Sequence, residues 1–429
     1  MHGRAGDSGG GRGGGFAALR HRDFRLLWVG SLVAHTGNWM QQVAQAWLLY
    51  DLTGSALLVG LNGLIRTAPF LVLSLYAGVL VDRMDRKRLL FWVQCIDLLI
   101  TLSLAILVAT GLVQVWHIYA NSVLASFTGA FQIPAQQALL PHLVPRRDLL
   151  GAVGLNSMLR KGTQIVGPAL GGLSVGAFGV AETYFINVVA FSGLVMSIAA
   201  IRATNPPTEP SKQGALHAIA EGLHYVRGDA IIGSMLLLEA VLSVFGSFNT
   251  MLVVFSRDIF AAGPQGLGLL QSAPGIGTVL GSLVLAWVGD VKRKGRLVII
   301  GSIFHGIGIA AFALCGWFPA ALVLLAVTGA ADIVVGATRN TILQLWARGP
   351  MLGRVMSLHA MSSRGLGPLG GFQAGTLTQF IGVQHAVAVG GVACVAAAVM
   401  LAWRVPALFA LSEAEKVSES ARAGRSPSA

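Results

Sequence analysis

The sequence predicts an all-α membrane protein with twelve transmembrane helices in two pseudo-symmetric six-helix bundles. Three observations predict it. Charged residues are 11% of the 429 and the apolar class 54%, where a soluble domain carries about 25% charged residues. The apolar share is about 232 side chains, close to the ~240 that twelve spans of about 20 residues need. Apolar runs alternate with short polar connections along the whole chain, and its two halves echo each other.

Residues 1–22 form an N-terminal tail, Gly-rich and polar, without the apolar stretch of a signal peptide. Apolar segments then run from Phe24 to Tyr50, Ser55 to Val81, Leu89 to Ala109, Val115 to Leu140, Leu149 to Phe178 and Thr183 to Ile201, so residues 23–203 make a first six-helix bundle. Residues 204–229 are a linker. The stretch Arg202 to Gly214 carries Pro206, Pro207 and Pro210 and is not helical. Leu216, Ile219, Ala220, Leu223 and Val226 then recur at helical spacing and predict a short amphipathic helix on the cytoplasmic face. Segments from Ala230 to Phe255, Pro264 to Gly289, Leu297 to Cys315, Pro319 to Trp346, Leu352 to Phe380 and Val383 to Trp403 make residues 230–405 the second bundle, and 406–429 are a polar C-terminal tail.

Orientation follows from the basic residues. Of the 30 Lys and Arg, 24 fall in the tails and in one set of alternate connections, while Arg257 alone lies in the opposite set. Arg66, Arg160, Lys161, Arg339 and Arg364 lie within spans. The positive-inside rule then makes both termini cytoplasmic and the span count even.

Other classes fall away. A net charge of +12 on a soluble chain would point to nucleic acid. Here the cations sit in short clusters between apolar runs, so topology accounts for them and no nucleic-acid partner is expected. Cys95, Cys315 and Cys394 lie inside apolar runs and read as small core residues, so neither a disulfide nor a metal is expected. The chain has no Gly-rich loop ending in Lys and Ser or Thr for ATP phosphates, and no nucleophile–base set spaced to converge within the spans. Neither an enzyme nor a cofactor is expected.

The halves repeat at two offsets. Gly60-Leu61, Asp82, Arg86 and Arg88 match Gly268-Leu269, Asp290, Lys294 and Arg296 at 208 residues. Gly167-Pro168 and Gly171 match Gly367-Pro368 and Gly371 at 200 residues. Two six-helix halves in one orientation imply an axis along the membrane normal and a site between them.

At these residues the chain resembles the major facilitator superfamily. The connection after the second span reads Gly78-Val-Leu-Val-Asp82-Arg83-Met-Asp85-Arg86-Lys87-Arg88, similar to that family's motif A. Gly167-Pro168-Ala-Leu-Gly171-Gly172 is similar to the motif linked to exporters. Gly37-Asn38-Trp39-Met40-Gln41, the run from Gln132 to Pro141, the run from Glu221 to Arg227, and Gly353-Arg354-Val-Met-Ser357 resemble a bacterial exporter branch that includes the enterobactin exporter and macrolide efflux proteins. The resemblance covers residues 20–405. It departs twice from the family pattern. Asp85 stands where motif A usually has a second Gly, and Leu124-Ala-Ser-Phe-Thr-Gly129 lacks the Arg that many proton-driven members carry in the fourth span.

The resemblance implies a monomeric secondary transporter of the bacterial cytoplasmic membrane, working by alternating access. It implies proton-coupled export of a small amphipathic organic molecule such as a siderophore, antibiotic or drug. An importer or a lipid or lysolipid flippase of the same fold, and more remotely a non-transporting sensor, are the alternatives. Gly78, Asp82, Arg83 and Arg86 would form a gate. Asp82 would meet the start of the eleventh helix near Leu352 to Arg354, a carboxylate at a helix N-terminus being worth about 0.3–2 kcal/mol. The second-half equivalent is Asp290 with Lys294. Gly167, Gly171, Gly172, Gly367 and Gly371 would let helices approach closely, and Pro168 and Pro368 would bend them.

The resemblance also assigns the central cavity to the first, fourth, seventh and tenth spans. Each carries a polar stripe. Asn38, Gln41 and Gln45 stand on the first with His35 and Gln42, and Gln132 stands on the fourth with Asn121, Thr128 and Gln136. Glu239 stands on the seventh with Ser243, Ser247 and Thr250, and Asp332 and Arg339 stand on the tenth with Thr328. Polar groups within a bilayer are costly and mark function by default. Glu239 and Asp332 are the candidate proton carriers, with Arg339 able to hold Asp332 ionised. Arg66 is a candidate partner for an anionic group or an acid. Asp97 is expected to be structural, because third helices sit on the outside of such bundles. Trp39 and Trp47 offer aromatic surfaces to a substrate.

Overall fold

The computed structural model describes residues 16–202, 225–226, 228–289, 291, 293–347 and 349–406; side chains at positions 75, 76, 78, 79, 82, 83, 350 and 364 are outside the description. Most of both tails, most of the expected linker helix, and Asp290 lie outside the described residues.

Among the described residues, twelve helical rods run back and forth. The first six are Arg22–Thr53, Ala56–Arg83, Arg86–Ala109, Val115–Leu143, Leu149–Phe178 and Val180–Ala200. The seventh covers Ala230–Ile259. The eighth to tenth are Gly263–Val288, Lys294–Leu314 and Phe318–Trp346, the eleventh is made of Leu352–Gly365 and Gly367–Ile381, and the twelfth is Val383–Arg404. We call the end that carries residues 16 and 406 the terminal end and the other the far end.

Local chemistry sets the ends. Gly54 closes the first rod in the left-handed region at φ 57°, where an L side chain would be strained. The Asp85 carboxylate accepts from the Arg88 N–H at 3.0 Å and caps the third rod. This accounts for the departure in the basic motif, since a capping acid occupies the turn where the family places glycine. Asp229 caps the seventh rod in the same way, accepting from the Ile231 and Ile232 N–H groups at 3.0 and 3.1 Å. The topology-setting cations also hold helices together. Lys87 donates to the Ile201 carbonyl at the end of the sixth rod, and Arg86 donates to His142 Nε2 on the fourth at 3.1 Å.

Each half is a ring. The first rod packs on the fifth and sixth, the third on the sixth and fourth, and the fourth on the second. The second half repeats this: the seventh packs on the eleventh and twelfth, the ninth on the twelfth and tenth, and the tenth on the eighth. The halves meet where the second rod packs on the eleventh and the fifth on the eighth. These seams are backbone against backbone. A Cβ at Gly172 would lie 2.5 Å from the Pro264 carbonyl and 2.9 Å from Gly268 Cα, and one at Gly60 would lie 2.5 Å from the Gly371 carbonyl. Small residues permit this approach in a bilayer, where packing drives helix association.

Two rods are broken where continuous helices were expected. The eleventh stops at Gly365 and restarts at Gly367, because Pro368 lacks an N–H and crowds the carbonyl four residues back. Pro168, its counterpart, sits inside an unbroken fifth helix. The seventh is α-helical over Ala230–Phe245, passes a 3-10 turn at Asn249–Met251 and ends in a π-helical turn at Phe255–Ile259. Gly246, Ser247 and Asn249 are weak helix formers, and Phe248 and Phe255 stack on Phe312 at 5.6 and 4.7 Å between ring centres. Irregular backbone at membrane depth is tolerated when protein surrounds it.

Eight rods are long and apolar enough to cross a membrane on length and composition; the first, fourth, fifth and eleventh are not among them. The first, fourth and fifth carry the polar residues described next. Large apolar side chains such as Trp92, Val189, Met196, Trp287 and Trp403 stand outward and exposed, an arrangement that suits lipid.

A cation-lined cavity in the first half

A cavity of about 940 Å3 lies inside the ring of the first half, within the range typical of small-molecule sites. Leu140, Pro141, Leu149 and Val153 line it towards the terminal end. At the far end the halves are clasped: the Tyr50 hydroxyl donates to the Asp258 carboxylate, and Arg257 pairs with Asp51 at 2.8 Å. The Arg257 guanidinium also lies over the Trp47 and Tyr50 rings, 5.9 and 5.7 Å from their centres. The single basic residue of the far connections is thereby neutralised. Trp47, expected to face a substrate, belongs to this clasp.

Polar side chains line the cavity and brace its walls. Gln45 donates to Ser122 Oγ at 2.8 Å, and Ser122 donates to Asn62 Oδ1 at 2.8 Å. This relay ties the first, fourth and second rods. Gln136 donates to Ser31 at 3.1 Å, and Asn187 on the sixth rod donates to Gln41. Ser126 holds the backbone carbonyl of Arg66. The charged lining residues are Arg66, Asp97, Arg160 and Lys161.

The expected site residues divide. Asn38, Gln41, Gln45, Gln132 and Arg66 line the cavity, as do His35, Trp39, Gln42 and Gln136. Glu239 and Arg339 form an ion pair across the seventh and tenth rods, both only 7% exposed at the side chain, and Ser243 donates to the Glu239 carboxylate at 3.3 Å. Arg339 therefore meets the acid of another helix, whereas Asp332 lies two turns away on its own. Asp332 is exposed. By helical rotation it shares Arg339's side of the rod and opposes exposed Val323 and Val327.

The glycines divide too. Methyl groups at Gly167 and Gly171 would meet Trp39 and Met40 of the first rod, whereas Gly172 faces the second half. Gly367 lies near Ser247, Gly371 packs on Thr250, and Pro368 approaches Gly63 across the seam. Gly78, Asp82 and Arg83 belong to the last turns of the second rod, where the side chains of Asp82 and Arg83 are outside the description. Lys294 is the first residue of the ninth rod.

Asp97 is the residue whose placement differs from expectation. It lies on the third rod, yet it lines the cavity and accepts from the Thr128 hydroxyl. A signal was present: Gln94, Asp97 and Thr101 recur at helical spacing on that span, and all three are buried.

The profile of the transmembrane secretion effector family matches residues 13–423. The chain is similar to macrolide efflux protein A of Streptococcus pyogenes, at 24% identity over 84% of this chain and 91% of that one. It is similar to the multidrug efflux pump Tap of Mycolicibacterium fortuitum, at 28% identity over 83% of this chain and 90% of that one. A crystal structure of the peptide transporter POT shares the fold at a TM-score of 0.73 and 12% identity, over 91% of this chain and 95% of that one. With its paired rings, its glycine seams and a family match over nearly its whole length, the chain belongs to the transmembrane secretion effector family, multi-pass membrane transporters of the major facilitator superfamily.

Proposed function

We propose that this chain is a proton-coupled exporter of a mid-sized amphipathic organic molecule, with both termini in the cytoplasm of a bacterial cell. The observation that carries the reading is the cavity: polar, roomy, reaching the terminal end and clasped at the far end. With the cations marking the terminal end as cytoplasmic, this is the inward-facing state, loaded from inside. The macrolide and multidrug efflux relatives support the outward direction.

The buried Glu239–Arg339 pair is the proposed coupling element. Protonating Glu239 would leave Arg339 as an uncompensated buried charge, a penalty of about 3–5 kcal/mol when one partner is removed outright, which is large enough to switch a conformation. Asp332, exposed on the same side of the tenth rod, is the proposed station through which a proton arrives. Asp82 is the proposed latch that engages the eleventh rod when the terminal end closes.

Export of a fluorescent amphipathic dye from cells making this chain tests the reading, with the pH gradient imposed and then collapsed. Dye loss that follows the gradient supports it. A rate indifferent to the gradient removes proton antiport, and dye accumulation removes export.

A further inference from the structure

We infer that the cavity is built for an anion: the molecule it takes carries a carboxylate, phosphate or comparable negative group that docks on Arg66. This deepens the exporter reading and rests on it only for the claim that the molecule is moved.

The charge of the lining is lopsided. Arg66, Arg160 and Lys161 line the cavity with one acid, Asp97, and Arg160 has a partner of its own. That acid accepts from Thr128 and attracts the Arg66 guanidinium from beyond ion-pair distance. Arg66 is different. Its backbone is anchored through Ser126, but among the described residues its guanidinium has no carboxylate within 4.0 Å and donates no hydrogen bond. The other half supplies an internal comparison. There the buried Arg339 is closed on Glu239, as expected of an arginine whose partner is part of the fold. An arginine held open in a low-dielectric cavity has donor capacity to spare, and its planar fork matches carboxylate and phosphate oxygens in bidentate geometry.

The approach to Arg66 fits the same ligand. Arg160 and Lys161 lie exposed on the fifth rod along the cavity wall, and like charges lining a low-dielectric cleft focus the field that draws an opposite charge inward. The amides of Gln132 and Gln136 offer donors to oxygen-rich groups, and Trp39 and Phe70 offer flat apolar faces. An organic cation entering this space would meet the charges of Arg66 and Lys161, with the acid Asp97 already engaged by Thr128 and Arg66.

Equilibrium binding to the purified full-length chain in detergent tests this, read by fluorescence anisotropy with carboxyfluorescein as the anionic probe and rhodamine 123 as a cationic probe of similar size. Carboxyfluorescein should bind about ten-fold tighter than rhodamine 123 or better, and Arg66→Gln should weaken it by about ten-fold or more, the scale of one charge-assisted hydrogen bond. Arg66→Lys keeps the charge but loses the bidentate contact, so it should recover only part of the affinity lost in Arg66→Gln, and Lys161→Gln, at an exposed position, should slow association of the anion while leaving the fold intact. The inference is overturned if rhodamine 123 binds as tightly as carboxyfluorescein, if carboxyfluorescein does not bind, or if a folded Arg66→Gln keeps its affinity within two-fold. A chain that binds the anion through Arg66 but does not carry it across vesicle membranes sinks the exporter reading and leaves this one standing.

Discussion

The far-end clasp makes a quantitative prediction about the balance between inward- and outward-facing states. Its parts are unequal. The Asp51–Arg257 pair is 2.8 Å long, but its side chains are 54% and 41% exposed, so it contributes about 0.2–1 kcal/mol. The cation–π contacts of Arg257 with Trp47 and Tyr50 add ~0.5–1 kcal/mol at such a site. The hydrogen bond from Tyr50 to the Asp258 carboxylate is the strongest of the three, about 1.5–3 kcal/mol for a bond to a charged acceptor. All of them join the two halves across the closed end. Tyr50→Phe removes the hydrogen bond alone and keeps the ring, so it should move the equilibrium towards the far-end-open state by about ten- to a hundred-fold. Spin labels at Leu112→Cys and Trp317→Cys, exposed residues beside far-end connections of opposite halves, would read the shift by pulsed electron resonance with the three native cysteines replaced. The expected result is growth of a longer distance in Tyr50→Phe and less growth in Asp51→Asn. An unchanged distribution in Tyr50→Phe would show that the clasp does not set the balance and would refute the reasoning.

Two further predictions concern the pair and the seam. Glu239→Ala strands Arg339 in a site where its Nε already has no partner. The melting temperature should fall, by about 3–5 kcal/mol of stability, and the double change with Arg339→Met should recover most of the loss; a double variant no more stable than the single would deny that the two charges depend on each other. Gly172→Ala puts a methyl group 2.5 Å from the Pro264 carbonyl, so the fifth and eighth rods must part at a cost of about 1–3 kcal/mol. The same spin-label distance should lengthen, while Gly154→Ala, where a methyl meets nothing within 4 Å, should leave it alone. Equal distances in the two variants would place the seam outside the gating motion.

Much of the fold was legible because lipid enforces two simple rules. A span must be apolar for about 20 residues, and its flanks sort by charge. The twelve segments and the equivalence of the halves follow from these, and the shared rings around the seams bear them out. The breaks in the seventh and eleventh rods were less legible, because Pro168 and Pro368 look alike in sequence while only Pro368 ends a helix. Its flanking Gly365 and Gly367 make the interruption inexpensive there. The cavity was half legible. Polar stripes on the first and fourth spans mark lining residues, since an amide in a bilayer needs water, a ligand or a partner. The same rule on the seventh and tenth spans found Glu239 and Arg339, whose partners turn out to be each other. Sequence periodicity gives the face of a helix but not what stands opposite that face. Asp97 shows the same limit: Gln94, Asp97 and Thr101 mark a polar face on the third span, but only the packed ring shows that this face reaches the hollow.

The two halves share a ring but not its filling, and the difference bears on how the proposed cycle divides its labour. The first half keeps neutral amides and an open arginine around a cavity; the second closes an acid on an arginine deep in the protein. A buried ion pair gives little net stability over an apolar filling, because desolvation offsets its attraction. Its distinctive property is sensitivity, since changing the charge of either member makes the arrangement untenable. An open arginine has the opposite property: it gains when a ligand arrives and costs little when water takes the place. Substrate recognition and energy input are thus proposed to sit in different halves, and communication must cross the seams at Gly172–Gly268 and Gly60–Gly371, where backbone meets backbone. Contacts that tight cannot absorb a displacement by bending side chains. A change of charge in one half must therefore be met by movement of the other as a body, and a ligand on Arg66 biases that movement only to the extent that the hollow holds it better open than closed.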